Sequence, residues 1–259
     1  MASWRRLAAV LCAVVAVSGL AGCGGTDDKA AEAKASSAPS VSDAQRMTEA
    51  LETFKAYRSF GLKGEVRDEV GTSIDLHVDR EGHCTGTYTR AHAVSRFVIL
   101  GDRAWSAYDD ATLNDSIVLA QIVGPEAVAA AKDAIAKARG KYVESSAAEL
   151  TAQTALSLCR MDTAYAGVPA SVTTAEHSNP RVVDGEQRVT LTHAVKDGEV
   201  VVHVPESGRP TPRGIEFEIA DTPVVVDVYD ADVPVDPQKP DASDVVKAED
   251  VRGLYPFPK

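Results

Sequence analysis

No catalytic signature is present in this chain of 259 residues. The patterns G-x-S-x-G, H-E-x-x-H, G-x-x-x-x-G-K-[ST] and G-x-G-x-x-G are all missing, and no serine or cysteine stands beside an evident base. C-x-x-C is missing as well, which removes dithiol redox chemistry and zinc knuckles from consideration. Basic residues are in deficit: 27 Lys and Arg against 38 Asp and Glu leave a formal charge of −11. A polyanion of that size repels phosphate backbones, so nucleic acid is not an expected partner. Internal repeats are absent. With 44% hydrophobic residues, 18 Gly and 13 Pro, the composition is that of a globular protein and excludes collagen, coiled coil and wholesale disorder.

What is present begins with an export signal. Trp4-Arg5-Arg6 forms a positive head and residues 7–20 an uncharged apolar stretch, at about 14 residues too short for a stable membrane span. Leu20-Ala21-Gly22-Cys23 closes it with the spacing of a lipobox, in which the cysteine thiol receives a diacylglyceryl group before cleavage on its N-side. Residues 1–22 are thus read as a lipoprotein signal peptide and Cys23 as the acylated first residue of the mature chain, anchored to the outer side of the cell membrane. Each buried methylene contributes about 0.8 kcal/mol, so two or three acyl chains hold a protein where one does not. Residues 23–41 follow as the lipidated cysteine and a tether, small and polar. Its roughly 17-residue coil spans about 20–25 Å. The Ser3-Trp4-Arg5-Arg6-Leu7-Ala8 segment lacks the remainder of a twin-arginine signal, which leaves general secretion.

Cys12 departs with the leader and Cys23 is acylated, leaving Cys84 and Cys159. In an oxidising compartment that pair reads as one disulfide, the alternative being two buried free thiols.

Residues 42–235 read as one folded domain, and 236–259 as an irregular Pro-rich tail. Ser42 with Gln45 fits a capping box, and Met47, Leu51, Phe54 and Tyr57 recur at helical spacing, predicting a helix over 42–58. Alternation then predicts strands carrying Phe60, Leu62 and Val66, then Ile74, Leu76 and Val78, separated by a turn over 68–71. Strands at 84–89, 94–100 and 104–108 complete a five-strand meander. Helices are expected from Asp115 through 117–123, from Pro125 to before Gly140, and over 147–160 behind a Ser146 cap, with a short strand at 141–143 between the last two. The last third returns to strands at 188–195, 200–204, 214–219 and 222–229. A turn at Asp197-Gly198 pairs Lys196 with Glu199, Leu191 with Val204 and Val195 with Val200. The order of elements predicts an α+β fold: one large curved antiparallel sheet, an open half-barrel, wrapped around helices.

The lipobox, the tether, the helix before Ser59-Phe60-Gly61-Leu62-Lys63-Gly64, the stretch Asp79-Arg80-Glu81-Gly82-His83-Cys84-Thr85-Gly86, the segment from Val98 to Trp105 and Gly140-Lys141-Tyr142-Val143 together resemble the LolA-like lipoproteins of actinobacteria, the LppX/LprG lipid-binding group. The resemblance covers most of residues 42–230, and its motifs are turns and strand starts, not catalytic groups. It implies an incompletely closed barrel with an apolar cavity for acyl chains, and so binding of a lipid or glycolipid at the cell envelope. The cavity candidates are Phe60, Leu62, Val66, Ile74, Leu76, Val78, Phe97 and Ile99, for each of which plain core packing is the competing reading. Aromatics at 5% and the proline-rich tail depart from the family pattern. A monomer with no cofactor, no metal and no specified protein partner is expected.

Asp75, His77 and Asp79 share one face of a strand, expected to be its solvated side. His193 and His203 are expected on opposite faces of their hairpin. The pairs Asp109-Asp110 and Asp27-Asp28 read as solvated loop charge. Two further functions stay open: an envelope interaction or sensing module with a filled interior, and an envelope hydrolase, which would require a buried carboxylate of strongly raised pKa.

Overall fold

A computed structural model of the chain describes residues 41–254 apart from 69, 70 and 197. The leader, Cys23, the tether up to residue 40 and the last five residues lie outside that range, so the signal-peptide and lipidation readings fall outside the described residues.

The first element is α1 (Asp43–Ala56), whose Ser42 cap accepts the Gln45 N–H at 3.2 Å as expected. Its apolar stripe Met47, Ala50, Leu51 and Phe54 is fully buried. The face opposite β strands therefore comes from spacings of three and four, and each large side chain so buried is worth about 1.5–3 kcal/mol. Five strands follow as a meander: β1 (Ser59–Val66), β2 (Thr72–Asp79), β3 (Cys84–Arg90), β4 (Ala93–Leu100) and β5 (Arg103–Tyr108). A helical pair, α2 (Asp110–Val123) and α3 (Pro125–Ala138), leads to β6 (Tyr142–Ser146).

The region read as one helix over 147–160 is instead two short helices, α4 (Ala147–Thr151) and α5 (Thr154–Ser157), and a third, α6 (Met161–Ala166), follows it. Ser146 does cap the first with a complete capping box to Glu149. Ala155, Leu156, Leu158, Cys159 and Met161 are all buried. On a straight helix those five positions spread over about 220° of the circumference, well beyond a single buried stripe, so a chain that must bury every one of them has to turn. The remaining strands are β7 (Glu176–His177), β8 (Arg181–Val183), β9 (Glu186–Val195), β10 (Gly198–Pro205), β11 (Gly214–Ile219), β12 (Thr222–Tyr229) and β13 (Val245–Lys247).

All thirteen strands join one curved, unclosed sheet in the order β13-β6-β5-β4-β3-β2-β1-β12-β11-β10-β9-β7, with β8 on β9. The antiparallel pairing of β1 with β12, Leu62 opposite Val228, fuses the two meanders. The expected antiparallel sheet needs one correction, because β13 runs parallel to β6 at the edge. A long crossing over 230–244 returns the chain to the same end of the sheet, which is what a parallel neighbour requires. Two inner-face glycines permit the curl. A Cβ on Gly64 would lie 2.1 Å from the Val225 carbonyl oxygen, and one on Gly86 2.2 Å from that of Asp75. Neighbouring backbone occupies the space a side chain would need, as at a barrel corner.

The β9–β10 hairpin is also shifted from expectation: Val195 pairs with Gly198, Leu191 with Val202 and Val189 with Val204. The expected register would have set Val189 against Glu206. The observed one buries Val189 to 4% exposure and leaves Val195 at 41%. Because the shift is by two residues, faces are preserved, and His193 and His203 remain on opposite sides.

The proline-rich tail belongs to the same compact unit as the rest of 41–254. Residues 231–241 have no regular structure, but β13 and the 3-10 turn Ala248–Val251 follow. Val251 and Leu254 are buried against Leu113 of α2, Ala134 and Ile135 of α3 and Val143 of β6. This second core is separate from the main one, which joins α1, the inner faces of β1–β4 and β9–β12, and α4–α6. Lys239 of the tail and Arg103 flank the ring of Trp105 on the outer face, and that residue is 1% exposed.

Candidate functional site

The eight residues expected to line a cavity, Phe60, Leu62, Val66, Ile74, Leu76, Val78, Phe97 and Ile99, all face the concave side of the sheet, each no more than 3% exposed. They pack with Met47, Leu51 and Phe54 of α1 and with Leu156 and Leu158 of the short helices. Phe54 is 4.9 Å from Phe60 and 5.3 Å from Tyr165 between ring centroids. Ile99 reaches a cleft, which it lines with Arg80, Cys159 and Tyr165. The disulfide Cys84–Cys159, with Cα atoms 5.5 Å apart, ties the segment after α5 to the start of β3. Tyr165 donates to the Tyr57 carbonyl at 3.2 Å, and burial pushes its pKa up to about 12 despite the opposing charge of Arg80.

The same concave face is open further along. Where β3 and β4 approach their hairpin, a groove of about 400 Å³ lies between the sheet and α2. Tyr88, Arg90, Ala93 and Ser95 come from the inner face of the hairpin, Ala91 from its tip, Thr112, Asp115, Val118 and Leu119 from α2, and Gln153 from the α4–α5 junction. The volume and the mainly apolar walls with a few polar groups match small-ligand sites.

Local chemistry places α2 there. Asp109, read as a loop charge, is the N-cap of this helix: Oδ1 accepts the Thr112 N–H and hydroxyl, both at 2.7 Å. Its Oδ2 accepts the Val94 N–H at 3.1 Å, and the Thr112 hydroxyl also donates to the Val94 carbonyl at 3.3 Å. One carboxylate thus starts the helix and pins it to β4. Partial burial works against its charge, but these hydrogen bonds outweigh that and hold the Asp109 carboxyl below its ordinary pKa. Beyond Asp115, α2 carries no charge. Leu113, Ser116 and Ala120 face inward, whereas Val118, Ile122 and Val123 are 57%, 81% and 80% exposed. An apolar lip therefore borders the groove.

The floor is polar. In the ladder, Tyr88 lies directly opposite Ser95, and Ser95 opposite Tyr108. One row deeper, Ser106 lies opposite Phe97. Ser95 and Ser106 are 1% exposed and Tyr88 7%. Burial raises the pKa of Tyr88 and raises that of Tyr108 far above the ordinary phenol value. Both hydroxyls therefore stay protonated and neutral. Sequence reasoning missed this floor, although Ser95 shares the alternation of Phe97 and Ile99 and was the one polar residue on that face of its strand.

The remaining polar groups do not converge on a site. Asp75, His77 and Asp79 lie on the outer face as expected and take different partners: Lys63 at 3.1 Å, Asp230 at 3.1 Å and His83 at 2.9 Å. Asp79, Glu81 and His83 offer ligand atoms within 4.8 Å of one another, but Asp79 is already engaged by the Glu81 and His83 amides as a turn. His193 binds the Thr174 carbonyl and His203 the Glu216 carboxylate. The carboxylates with displaced pKa, Asp75, Asp109, Asp162 and Glu186, are all moved down, the opposite of what a general acid needs. Among the described residues no helix is long and apolar enough to cross a membrane.

The fold and groove define an α+β protein with an open, curved sheet and a ligand-sized gap between sheet and helix. No protein-family model matches the chain, and no curated protein matches it. Among solved structures it is similar to lipoprotein LppX of Mycobacterium tuberculosis, at 14% identity over 75% of this chain and 97% of that one, TM-score 0.45. It is also similar to LprF from Mycobacterium bovis (10% identity, 76% and 96% coverage, TM-score 0.47). An uncharacterised conserved protein from Thermus thermophilus matches at 8% identity, 78% and 97% coverage and TM-score 0.32.

Proposed function

We propose that this chain is a cell-envelope lipoprotein, anchored through acylated Cys23, that binds and carries a lipid or glycolipid. The observation that carries the reading is the groove between α2 and the β3–β4 hairpin, with its uncharged lip of Val118, Ile122 and Val123. Three large apolar side chains exposed together at one end of α2 beside the groove offer a surface that an acyl chain can cover. Binding is passive: apolar burial contributes about 25 cal/mol per Å², and the charged exterior keeps the loaded protein in water beside the membrane. No cofactor enters.

A second reading, an interaction or sensing module, draws on the packing of Phe60, Leu62, Val66, Ile74, Leu76, Val78, Phe97 and Ile99, since it expects a filled interior. Native mass spectrometry with solvent extraction separates the two. Residues 40–259 are secreted from an actinobacterial host behind a conventional secretory leader, without Cys23, and examined directly. A stoichiometric co-purified lipid supports the carrier, while an unloaded mass that persists after incubation with envelope lipid extract supports the module. The same comparison tests the anchor, because the wild type partitions with membranes and the chain without Cys23 is released.

A further inference from the structure

Resting on the reading of the groove as a lipid site, we propose that its floor is a hydroxyl-lined seat for an uncharged, hydrogen-bonding headgroup, an alcohol or ester on a single acyl chain, and that Tyr88 and Ser95 select it. The two side chains lie side by side on adjacent strands, hydrogen-bond to each other and both line the groove, so one headgroup can meet the pair through the donor and acceptor positions that this bond leaves over. Behind them, Ser106 lies outside the lining of the groove, and its buried hydroxyl pairs with that of Tyr108.

Charge is confined to the rim, where Arg90 and Asp115 carry one unit of each sign. A phosphate or carboxylate brought down to the floor would lose its water to neutral hydroxyls, with the Arg90 cation nearby offset by Asp115 on the facing wall, whereas an alcohol or ester loses far less and recovers it in hydrogen bonds. The tyrosine protons stay in place because burial disfavours the phenolate. Above the floor the walls are Ala91, Ala93, Val118 and Leu119, continuing to the exposed Ile122 and Val123, which gives an acyl chain an apolar path outward. The groove is too small for several chains but within the range that holds one drug-sized amphiphile.

The test compares three probes with the same C18 chain by titration calorimetry below their aggregation thresholds: 1-monooleoylglycerol, 1-oleoyl lysophosphatidic acid and 1-octadecene presented in cyclodextrin. The proposal expects monooleoylglycerol to bind at least tenfold more tightly than the phosphate. Tyr88→Phe and Ser95→Ala, each removing only a hydroxyl, then weaken monooleoylglycerol roughly fivefold and leave octadecene unchanged. Equal affinity for the glycerol and phosphate probes, or hydroxyl variants that bind monooleoylglycerol like the parent, overturns the headgroup assignment and leaves the lipid reading standing. If none of the probes binds, and Leu119→Glu makes no difference to co-purified material, the lipid reading itself falls and takes this inference with it. The wild-type comparison decides between headgroups even where a variant fails to fold.

Discussion

Removing the Cys84–Cys159 bond is the perturbation whose size is easiest to work out. The bond closes a loop of 75 residues, and the loop-entropy relation makes its loss cost about 4 kcal/mol through the unfolded chain. For a domain of this size about 1 kcal/mol moves the melting temperature by about 2–4 °C, so a fall of roughly 10 °C is expected. The reporter is built in: Trp105 is the one tryptophan besides Trp4, and it is 1% exposed. Urea unfolding followed by its fluorescence gives the free energy for the wild type, Cys84→Ala, Cys159→Ala and the double variant. Each single substitution already breaks the cross-link, so all three variants should lie within about 1 kcal/mol of one another. That pattern separates loss of a cross-link from loss of packing, which would add between the two sites. A double variant less than about 1 kcal/mol below the wild type would refute the entropic argument, and two alkylatable thiols in the exported protein would refute the bond itself.

Phe54→Ala removes the ring that α1 places between Phe60 and Tyr165, and should cost about 3–5 kcal/mol in the same assay. Asp109→Ala removes the α2 cap and should cost about 1–2 kcal/mol at neutral pH. Because the folded pKa of Asp109 lies below its ordinary value of 3.8, its contribution is complete above that pH and is lost as the pH falls through the lower folded value. Stability of Asp109→Asn plotted against pH should accordingly fall less below pH 3.8 than that of the wild type. Truncation after residue 244 strips Val251 and Leu254 from the second core, and hydrogen exchange should then quicken in α3 and β6 while α1 keeps its protection. Gly64→Ala forces a methyl onto the Val225 carbonyl and should sharply lower the amount of protease-resistant folded protein, which limited proteolysis and an immunoblot of the membrane fraction read directly.

Much of the fold was legible because it is written locally. Met47, Leu51 and Phe54 repeat at helical spacing and Ile74, Leu76 and Val78 at strand spacing, and both patterns state which side of the element must be dry. The Ser42 and Ser146 caps and Pro125 at the first turn of α3 were equally readable. Asp109 was misread since an aspartate before a helix and an aspartate in a loop differ only in whether the next residues turn helical. The segment 147–160 reads as one helix because its propensity is helical throughout, whereas burial of side chains over more than half its circumference overrides propensity. Strands β7, β8 and β13, of two or three residues, are too short to show any period.

The candidate site divides along the same line. Face and polarity were set by the sequence alone: Ser95 lies on the side of Phe97 whatever its neighbours do, and with Cys12 read into the leader and Cys23 as the anchor, Cys159 was the expected partner of Cys84, a bond the structure contains. Which part of that face is filled was decided by tertiary structure. Residues about a hundred positions apart meet there, with α1 and the short helices covering the Phe60–Ile99 end and α2, pinned through Asp109, standing off from the Tyr88–Ser95 end. A groove is the volume left over when distant elements have packed, and no local pattern of residues records a volume that several segments jointly fail to fill.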